Sequence, residues 1–311
     1  MFKSKNSMSR ALVRRETTAG YLFLLPSLFF FVTFVLYPMF LCIYTSFFDS
    51  NMGKNAVDVF VGLGNYKELF RDKLFLGALK NTVIIVVVAV PTVCAFSLWV
   101  ATAIYDMKPA LTSAFRCIFY LPVVTGSVAV TVVWKWMYNN RFGVFNYLFK
   151  SLGIIDQNIN WLGDARFALW CIILILFTTS VGQPIVLYVS ALGNVDHSLV
   201  EAAQVDGANL WQRIRYITIP LLKPTIIILF LLSIGKIMSG DLTMMMSITN
   251  LSPMLLDTTD IIDTYVYRSV IGVGDFVMGS AVGLYQSIFG FVLVLFSNWL
   301  VGRFDKDYQL F

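Results

Sequence analysis

Six long apolar stretches constrain the fold of this chain more than any other feature of its sequence. They span residues 21–45, 82–105, 115–138, 167–192, 221–240 and 280–301. A helix needs about 20 apolar residues to cross a hydrocarbon core of ~30 Å, because each residue adds ~1.5 Å along its axis. Hydrophobic residues make up 58% of the 311 positions and charged residues only 13%, which is unusual for a soluble domain. We therefore predict an all-α integral membrane protein with six transmembrane helices.

The charges at the N-terminus predict the orientation of these helices. Residues 1–20 carry five basic side chains and one acid, and such segments favour the cytoplasm. Six crossings then place the other end, residues 302–311, on the same side. We expect two short cytoplasmic tails flanking a membrane domain at 21–301.

A polar insert separates the fourth and fifth apolar stretches, at residues 197–220. Ala202 and Ala203 are small, so a partner could approach the backbone closely. Glu201 and Asp206 add charges that a basic side chain could hold. This combination favours a docking site on the cytoplasmic face.

A turn and a short amphipathic helix continue the insert. Gly207 permits the positive φ angle or close approach that a sharp turn between two helices requires. Leu210, Ile214 and Ile217 recur at helical spacing, which predicts one face against the membrane domain and another open to water or a partner. An ordinary capped helical loop is the alternative interpretation.

This sequence lacks the residue patterns that several kinds of site require. The cysteines lie far apart, at Cys42, Cys94, Cys117 and Cys171, and this spacing indicates neither a metal site nor a disulfide framework. The single histidine, His197, has no metal-ligand companion. Gly235 and Lys236 precede Ile237, without the glycine spacing of a phosphate-binding loop. We expect no catalytic residue, metal or cofactor on this chain, so any ATP would be hydrolysed by another polypeptide.

The insert resembles the coupling segment found in the membrane subunits of bacterial ATP-driven importers. Its order is E-A-A, two residues, D-G-A, then I-T-I-P at 217–220. Residues 20–26, 62–66 and 261–268, with Trp134, Gly143 and Asn146, also resemble permeases of the maltose type, in the branch linked to oligosaccharides and polysaccharide fragments. One departure is Ile214, where this family usually has an aromatic residue.

This resemblance implies a type I ABC importer permease fold, with a coupling helix between helices 4 and 5. It also implies a bacterial cell membrane location and a set of partners: a second homologous permease in a heterodimer, two ATPase subunits that bind ATP and Mg²⁺, an external or periplasmic sugar-binding protein, an oligosaccharide and membrane lipid, but no nucleic acid. The residues implied to contact the ATPase are Glu201, Ala202, Ala203, Asp206, Gly207, Ala208, Leu210 and Ile214.

Polar residues within the apolar stretches are candidates for contacts with a sugar, because such side chains are costly in lipid unless they face a cavity or another helix. The resemblance implies Thr179, Ser180, Gln183 and Ser233, and we add Thr125, Tyr188 and Lys236. Hydrogen bonding between or along helices is the alternative role of each hydroxyl.

Two lysines need separate interpretations. Lys236 could contact an acidic sugar or a hydroxyl cluster, could pair with Asp241, or could extend to the membrane surface. Lys135 lies between two tryptophans, which indicates an anchor at the interface.

Other classes of transporter and enzyme share some of these features. An ion-gradient-driven secondary transporter would usually show acids at mid-membrane depth or inverted repeats. An intramembrane enzyme would need a nucleophile with a base, or metal ligands. An ABC permease for a solute other than a sugar would carry a related coupling segment and stays open as an alternative.

Overall fold

The computed structural model describes residues 3–49, 59–105, 107–195 and 197–304, and it is helical almost throughout. Two short strands, β1 (Phe48–Asp49) and β2 (Val59–Phe60), pair antiparallel. The α-helices are α1 (Lys3–Phe31), α2 (Tyr37–Ser46), α3 (Gly64–Leu69), α4 (Lys73–Tyr105), α5 (Pro109–Thr125), α6 (Ser127–Met137), α7 (Val144–Ser151), α8 (Ala165–Ser180), α9 (Gly182–Leu192), α10 (His197–Val205), α11 (Leu210–Arg213), α12 (Ile219–Met238), α13 (Leu242–Thr249), α14 (Leu256–Thr259), α15 (Ile262–Tyr267) and α16 (Phe276–Phe304). Short π-helical turns occupy Val32–Leu36, Ile214–Thr218 and Arg268–Val273, and a 3-10 turn occupies Pro253–Leu255.

Five helical segments of the described chain are long and apolar enough to cross a membrane, and a bent pair makes a sixth. The five are Thr17–Ser46, Lys73–Tyr105, Ala165–Leu192, Trp211–Met238 and Phe276–Arg303. They confirm five of the predicted stretches and extend some of their ends. Residues 305–311, which make up most of the predicted C-terminal tail, lie outside the described part of the chain.

The third predicted span is a bent pair of helices and not one continuous helix. Helices α5 and α6 meet at an angle of 102°. Pro122 removes one backbone donor near the end of α5. Gly126 has φ 80° and ψ 153°, a conformation that favours glycine and stops the helix.

Two hydrophobic clusters divide the bundle along its length. One contains Leu192, at the end of α9, and Leu222, near the start of α12, so it lies next to the predicted coupling segment. The other contains Met238, at the end of α12, and Met244 of α13. Since α12 has 20 residues, the two ends lie ~30 Å apart. We call the second end the far end.

Close packing between α5 and α9 depends on Gly182. A Cβ atom at this position would clash with the Phe119 carbonyl oxygen. Ser97 of α4 adds a hydrogen bond to the Val181 carbonyl oxygen, at 3.1 Å. Helices therefore approach closely where a small residue allows it.

A buried ion pair fixes the segment between α13 and α16 at the far end. Nη1 and Nη2 of the Arg268 guanidinium each donate to one oxygen of the Asp260 carboxylate at 2.6 Å. Asn81 of α4 donates to the Asp260 carbonyl oxygen at 3.0 Å, and Thr82 accepts from the Ile262 amide at 3.2 Å. This segment is thereby held against α4.

The loop after α6 is organised around Asn146. Its Oδ1 accepts from the Ile159 amide at 3.1 Å and from the Trp161 indole at 3.0 Å, and its Nδ2 donates to the Ile159 carbonyl oxygen at 2.9 Å. Gly143 leaves no room for a Cβ beside the Asn139 carbonyl oxygen. The polar and glycine residues singled out in this loop are thus structural.

Candidate coupling surface and transport cavity

The coupling segment forms two short helices joined at Gly207, as the sequence predicted. Helix α10 ends at Val205, and Gly207 follows with φ 81°. The Ala208 amide donates to the Ala203 carbonyl oxygen at 2.9 Å, which is the six-residue hydrogen bond of a Schellman-type helix end. Glycine is favoured here because its neighbours hold it in the left-handed region.

A reciprocal pair of hydrogen bonds starts the second helix of this segment. The Asn209 side chain accepts from the Gln212 amide, and the Gln212 side chain accepts from the Asn209 amide, both at 2.9 Å. This is a capping box. Helix α11 then continues through the π-helical turn Ile214–Thr218 into α12, so the segment is joined to a membrane span without a break.

Most of the predicted coupling residues are accessible. Ala202, Asp206 and Gly207 are exposed, while Ala203, Ala208 and Ile214 are half-buried. For Glu201 and Leu210 the structure describes the backbone but not the side chains, so those two contacts lie outside the described part.

Three large apolar side chains on this surface were missed by the sequence analysis. Val205 is 89% exposed, Trp211 65% and Tyr216 70%. Large apolar residues within a polar insert were a signal that could have found them, because an exposed apolar patch usually marks an interaction site. The sequence analysis weighed only the face of Leu210, Ile214 and Ile217, and it did not consider Trp211, which lies one helical turn before Ile214 and is more exposed.

A cavity of about 470 Å³ lies near the far end of α12. Three of the predicted substrate residues, Thr179, Ser180 and Lys236, line it together. A smaller cavity of about 70 Å³ adjoins it, shares Ser180 and Lys236, and adds the predicted residues Gln183 and Ser233. Five of the seven predicted side chains therefore meet in one region, between α8, α9 and α12.

Lys236 is exposed in this region, and its Nζ lies 3.5 Å from Oε1 of Gln183. The suggested pairing with Asp241 is not found. The Asp241 side chain instead accepts from the Met244 amide at 2.8 Å and caps α13. Within the described ranges, no carboxylate lies within 4.0 Å of the Lys236 ammonium, so its charge stays available to a ligand or to water.

The cavity hydroxyls differ in how far they are already satisfied. Thr179 donates to the Leu176 carbonyl oxygen at 3.0 Å, and Ser233 donates to the Leu229 carbonyl oxygen at 2.7 Å. Hydrogen bonds along the helix are the alternative role that we considered for these hydroxyls. Each hydroxyl oxygen can still accept a hydrogen bond from a ligand. The Ser180 hydroxyl has no hydrogen-bond partner among the residues described, so it can donate into the cavity.

Thr125 and Tyr188 do not reach either cavity. The Thr125 hydroxyl donates to the Leu121 carbonyl oxygen at 3.1 Å on an exposed surface. Tyr188 is fully buried in the cluster next to the coupling segment, packed with Ile185 and Leu192. Each side chain lies on a face of its own helix that does not border the cavity. Residue spacing along the sequence alone did not predict this.

Two further properties limit the chemistry of the site. No aromatic side chain lines either cavity among the residues described. That part of the chain also holds no group of three or more His, Cys, Asp or Glu residues placed to bind a metal. The arrangement offers ammonium, amide and hydroxyl groups to a ligand rich in oxygen.

Comparison with known proteins identifies the family. The family described as the binding-protein-dependent transport system inner membrane component matches residues 22–309. A probable ABC transporter permease protein of Pyrococcus horikoshii is 32% identical over 91% of this chain and 96% of its own length. The lactose transport system permease protein LacF of Rhizobium radiobacter is 35% identical over 70% and 72%.

A solved structure shares the fold. It is the crystal structure of a bacterial alginate ABC transporter in complex with an alginate pentasaccharide-bound periplasmic protein, with a TM-score of 0.82, 24% identity, and coverage of 94% of this chain and 96% of that chain. The fold and the family predicted from the coupling segment are thereby confirmed. The family match over most of the sequence and a relative 32% identical over 91% of this chain lead to one conclusion: this chain belongs to the family of binding-protein-dependent transport system inner membrane components.

Proposed function

We propose that this chain is one of two homologous permeases in an ABC importer that brings a sugar or oligosaccharide into a bacterial cell. Two ATPase subunits bind ATP and Mg²⁺ beneath it, and a sugar-binding protein delivers substrate from outside. Both tails, residues 1–20 and 302–311, lie in the cytoplasm. The observation that carries this proposal is the coupling segment, an ordered helix pair at one end of the bundle with exposed apolar side chains on it.

The exposed coupling surface fits a groove on an ATPase subunit. Trp211, Val205 and Tyr216 supply apolar area, and Ala202 and Gly207 leave the backbone accessible. Aromatic side chains in a desolvated pocket commonly dominate binding energy. Trp211 therefore takes the part expected of the aromatic residue that Ile214 replaces.

The sugar passes through the cavity region between α8, α9 and α12. Lys236, Gln183 and Ser180 donate hydrogen bonds to its hydroxyl or carboxylate oxygens, and Thr179 and Ser233 accept from its hydroxyls. Because no described aromatic side chain lines the cavity, the second permease supplies any surface that stacks on a pyranose ring.

Coupling follows from the continuity between the segment and the cavity. The helical run Trp211–Met238 extends without a break from the docking surface to Lys236. When ATP closes the two ATPase subunits, the segment moves with them and carries α12 along. Transport is then alternating access by rigid-body rocking, driven by the different nucleotide affinities of two states.

Co-purification tests the proposal. The chain is purified from its native membrane, its partners are identified, and ATP hydrolysis is measured in vesicles with candidate oligosaccharides and the external binding protein. An ATPase and a second permease should accompany it, and hydrolysis should rise only with the sugar-loaded binding protein. Purification alone, with solute movement down an ion gradient, would support the secondary-transporter alternative instead.

A further inference from the structure

Two short helices, α6 and α13, form the wall of the cavity at the far end. Ser127, in the first turn of α6, lines the cavity, as do Leu242, Met244 and Met245 of α13. The two helices pack against each other. Both helices therefore border the cavity at the far end.

Each of these helices follows a glycine with a positive φ angle. Gly126 has φ 80° and precedes α6, and Gly240 has φ 69° and precedes α13. A Cβ at Gly240 would clash with the carboxylate of Asp263. Glycine can adopt backbone angles that other residues cannot, so Gly126 and Gly240 are the positions at which these helices can rotate.

The chain on either side of Gly240 is held by different neighbours: the end of α12 by α16, and α13 by α6 and α15. Gln286 of α16 donates to the Met238 carbonyl oxygen at 3.1 Å and to Asp263 at 3.3 Å. The end of α12 is thus held to α16. Gly240 then connects this anchored end to α13.

One side chain links the two wall helices. The Lys135 ammonium of α6 donates to the Ser247 carbonyl oxygen at 2.8 Å and to Oδ1 of Asn250 at 3.2 Å. Asn250 ends α13 in a left-handed conformation, with φ 49°. A cation at this position also meets the negative end of the helix dipole. These are the only side-chain hydrogen bonds from α6 to α13 and its C-terminal cap within the described residues.

We propose that α6 and α13 form the outer gate of the cavity and that Lys135 is the latch that holds this gate closed in the resting transporter. The proposal rests on the function proposed above and adds a positioning residue to it. Opening requires rotation at Gly126 and Gly240 and release of the Lys135 hydrogen bonds. The latch therefore favours the resting state, in which the cavity is shut to the outside and hydrolysis waits for the loaded binding protein.

The test uses the complete transporter in lipid nanodiscs and compares three variants. Lys135→Met removes the donors and keeps the chain length, Lys135→Arg keeps a donor, and Lys150→Met removes an exposed lysine of α7 as a control. ATP hydrolysis is measured without binding protein. We expect a rise of about tenfold or more for Lys135→Met, because it loses both hydrogen bonds from a charged donor, and rates near the wild type for the other two.

A distance measurement reports on the gate without relying on hydrolysis. Spin labels at Val132 of α6 and Thr243 of α13, both exposed, should show a longer or broader distance distribution in Lys135→Met without nucleotide. If Lys135→Met fails to assemble, Asn250→Gly removes one acceptor and tolerates the positive φ angle, and we expect a smaller change in the same direction.

Unchanged hydrolysis together with an unchanged distance in an assembled variant would overturn the latch. If the wild-type complex shows no hydrolysis that depends on sugar and binding protein, the proposed function fails. The distance between α6 and α13 would then still decide whether Lys135 holds the two helices together.

Discussion

Gln183 and Lys236 meet across the two helices that flank the coupling segment, with 3.5 Å between Oε1 of Gln183 and Nζ of Lys236. Helix α9 carries Gln183 into the segment, and α12 carries Lys236 out of it. Any movement of the segment that shifts one helix against the other would change this contact. In the proposed mechanism, this pair of side chains would connect movement of the segment to the candidate sugar site.

Removing the Lys236 charge should weaken substrate handling while leaving assembly intact. Lys236→Met is expected to raise the concentration of sugar-loaded binding protein needed for half-maximal hydrolysis about tenfold, because a hydrogen bond from a charged donor is lost. Hydrolysis is titrated with the loaded binding protein, and Lys80→Met, at an exposed lysine of α4, is the control. An unchanged titration would remove Lys236 from the site.

Trp211 should contribute more to the affinity for the ATPase subunit than the residues next to it in the sequence. Trp211→Ala is expected to weaken the association by roughly tenfold or more, as loss of a buried aromatic anchor does. Trp136→Ala is the control, because Trp136 is 62% exposed and lies at the far end. Association is measured by titrating purified ATPase onto the permease pair, and equal affinities for both variants would argue against this docking surface.

The sequence predicted the parts of the site that depend on local chemistry. The apolar stretches indicated the spans, and Gly207 between two short helical patterns indicated the turn, because the left-handed region that it occupies favours glycine. Thr179, Ser180 and Gln183 lie within five residues of one another, so one stretch of helix brings them to the same region.

The sequence did not predict features that depend on packing between distant segments. Pro122 and Gly126 are visible as helix breakers, yet the 102° bend depends on where α6 packs. Lys135 finds its acceptors more than a hundred residues away, and no local pattern names them. Tyr188 is buried because of the helices around it, which a list of polar residues in spans cannot show.

The ion pair between Arg268 and Asp260 should contribute far more to the stability of the fold than the exposed pair between Arg166 and Asp164. The Arg268 side chain is 22% exposed and that of Asp260 is 2%, whereas Arg166 is 79% exposed. Arg268→Met leaves a buried carboxylate without its cation, which costs about 3–5 kcal/mol. Arg166→Met is the matched control and should leave the thermal midpoint nearly unchanged. Similar midpoints for both variants would contradict the anchoring role of the segment between α13 and α16.

Asp263 should make stability depend on pH. Burial raises the pKa of its carboxyl, and the hydrogen bond from Gln286 offsets part of this rise. The folded protein therefore holds this proton more tightly than the unfolded chain, so the contribution is present at low pH and is lost as pH rises through the folded pKa.

Asp263→Asn removes that titration and is expected to raise the thermal midpoint by a few degrees near pH 8, with little change near pH 4. Asp257→Asn, at an exposed residue of α14, is the control. A midpoint that falls in Asp263→Asn at pH 8 would show that the ionised carboxylate stabilises the fold.

Sugar-stimulated ATP hydrolysis by the Gly207→Asp transporter tests the central claim most directly. The variant places a side chain at a residue with φ 81° in the coupling surface, and Gly153→Asp is the control because Gly153 has φ 68° and open space in the loop after α7. Both complexes should insert and assemble. The account predicts that Gly207→Asp abolishes the stimulation by sugar-loaded binding protein and that Gly153→Asp keeps it. Normal coupled hydrolysis in purified Gly207→Asp would contradict the assignment of residues 197–220 as the coupling segment.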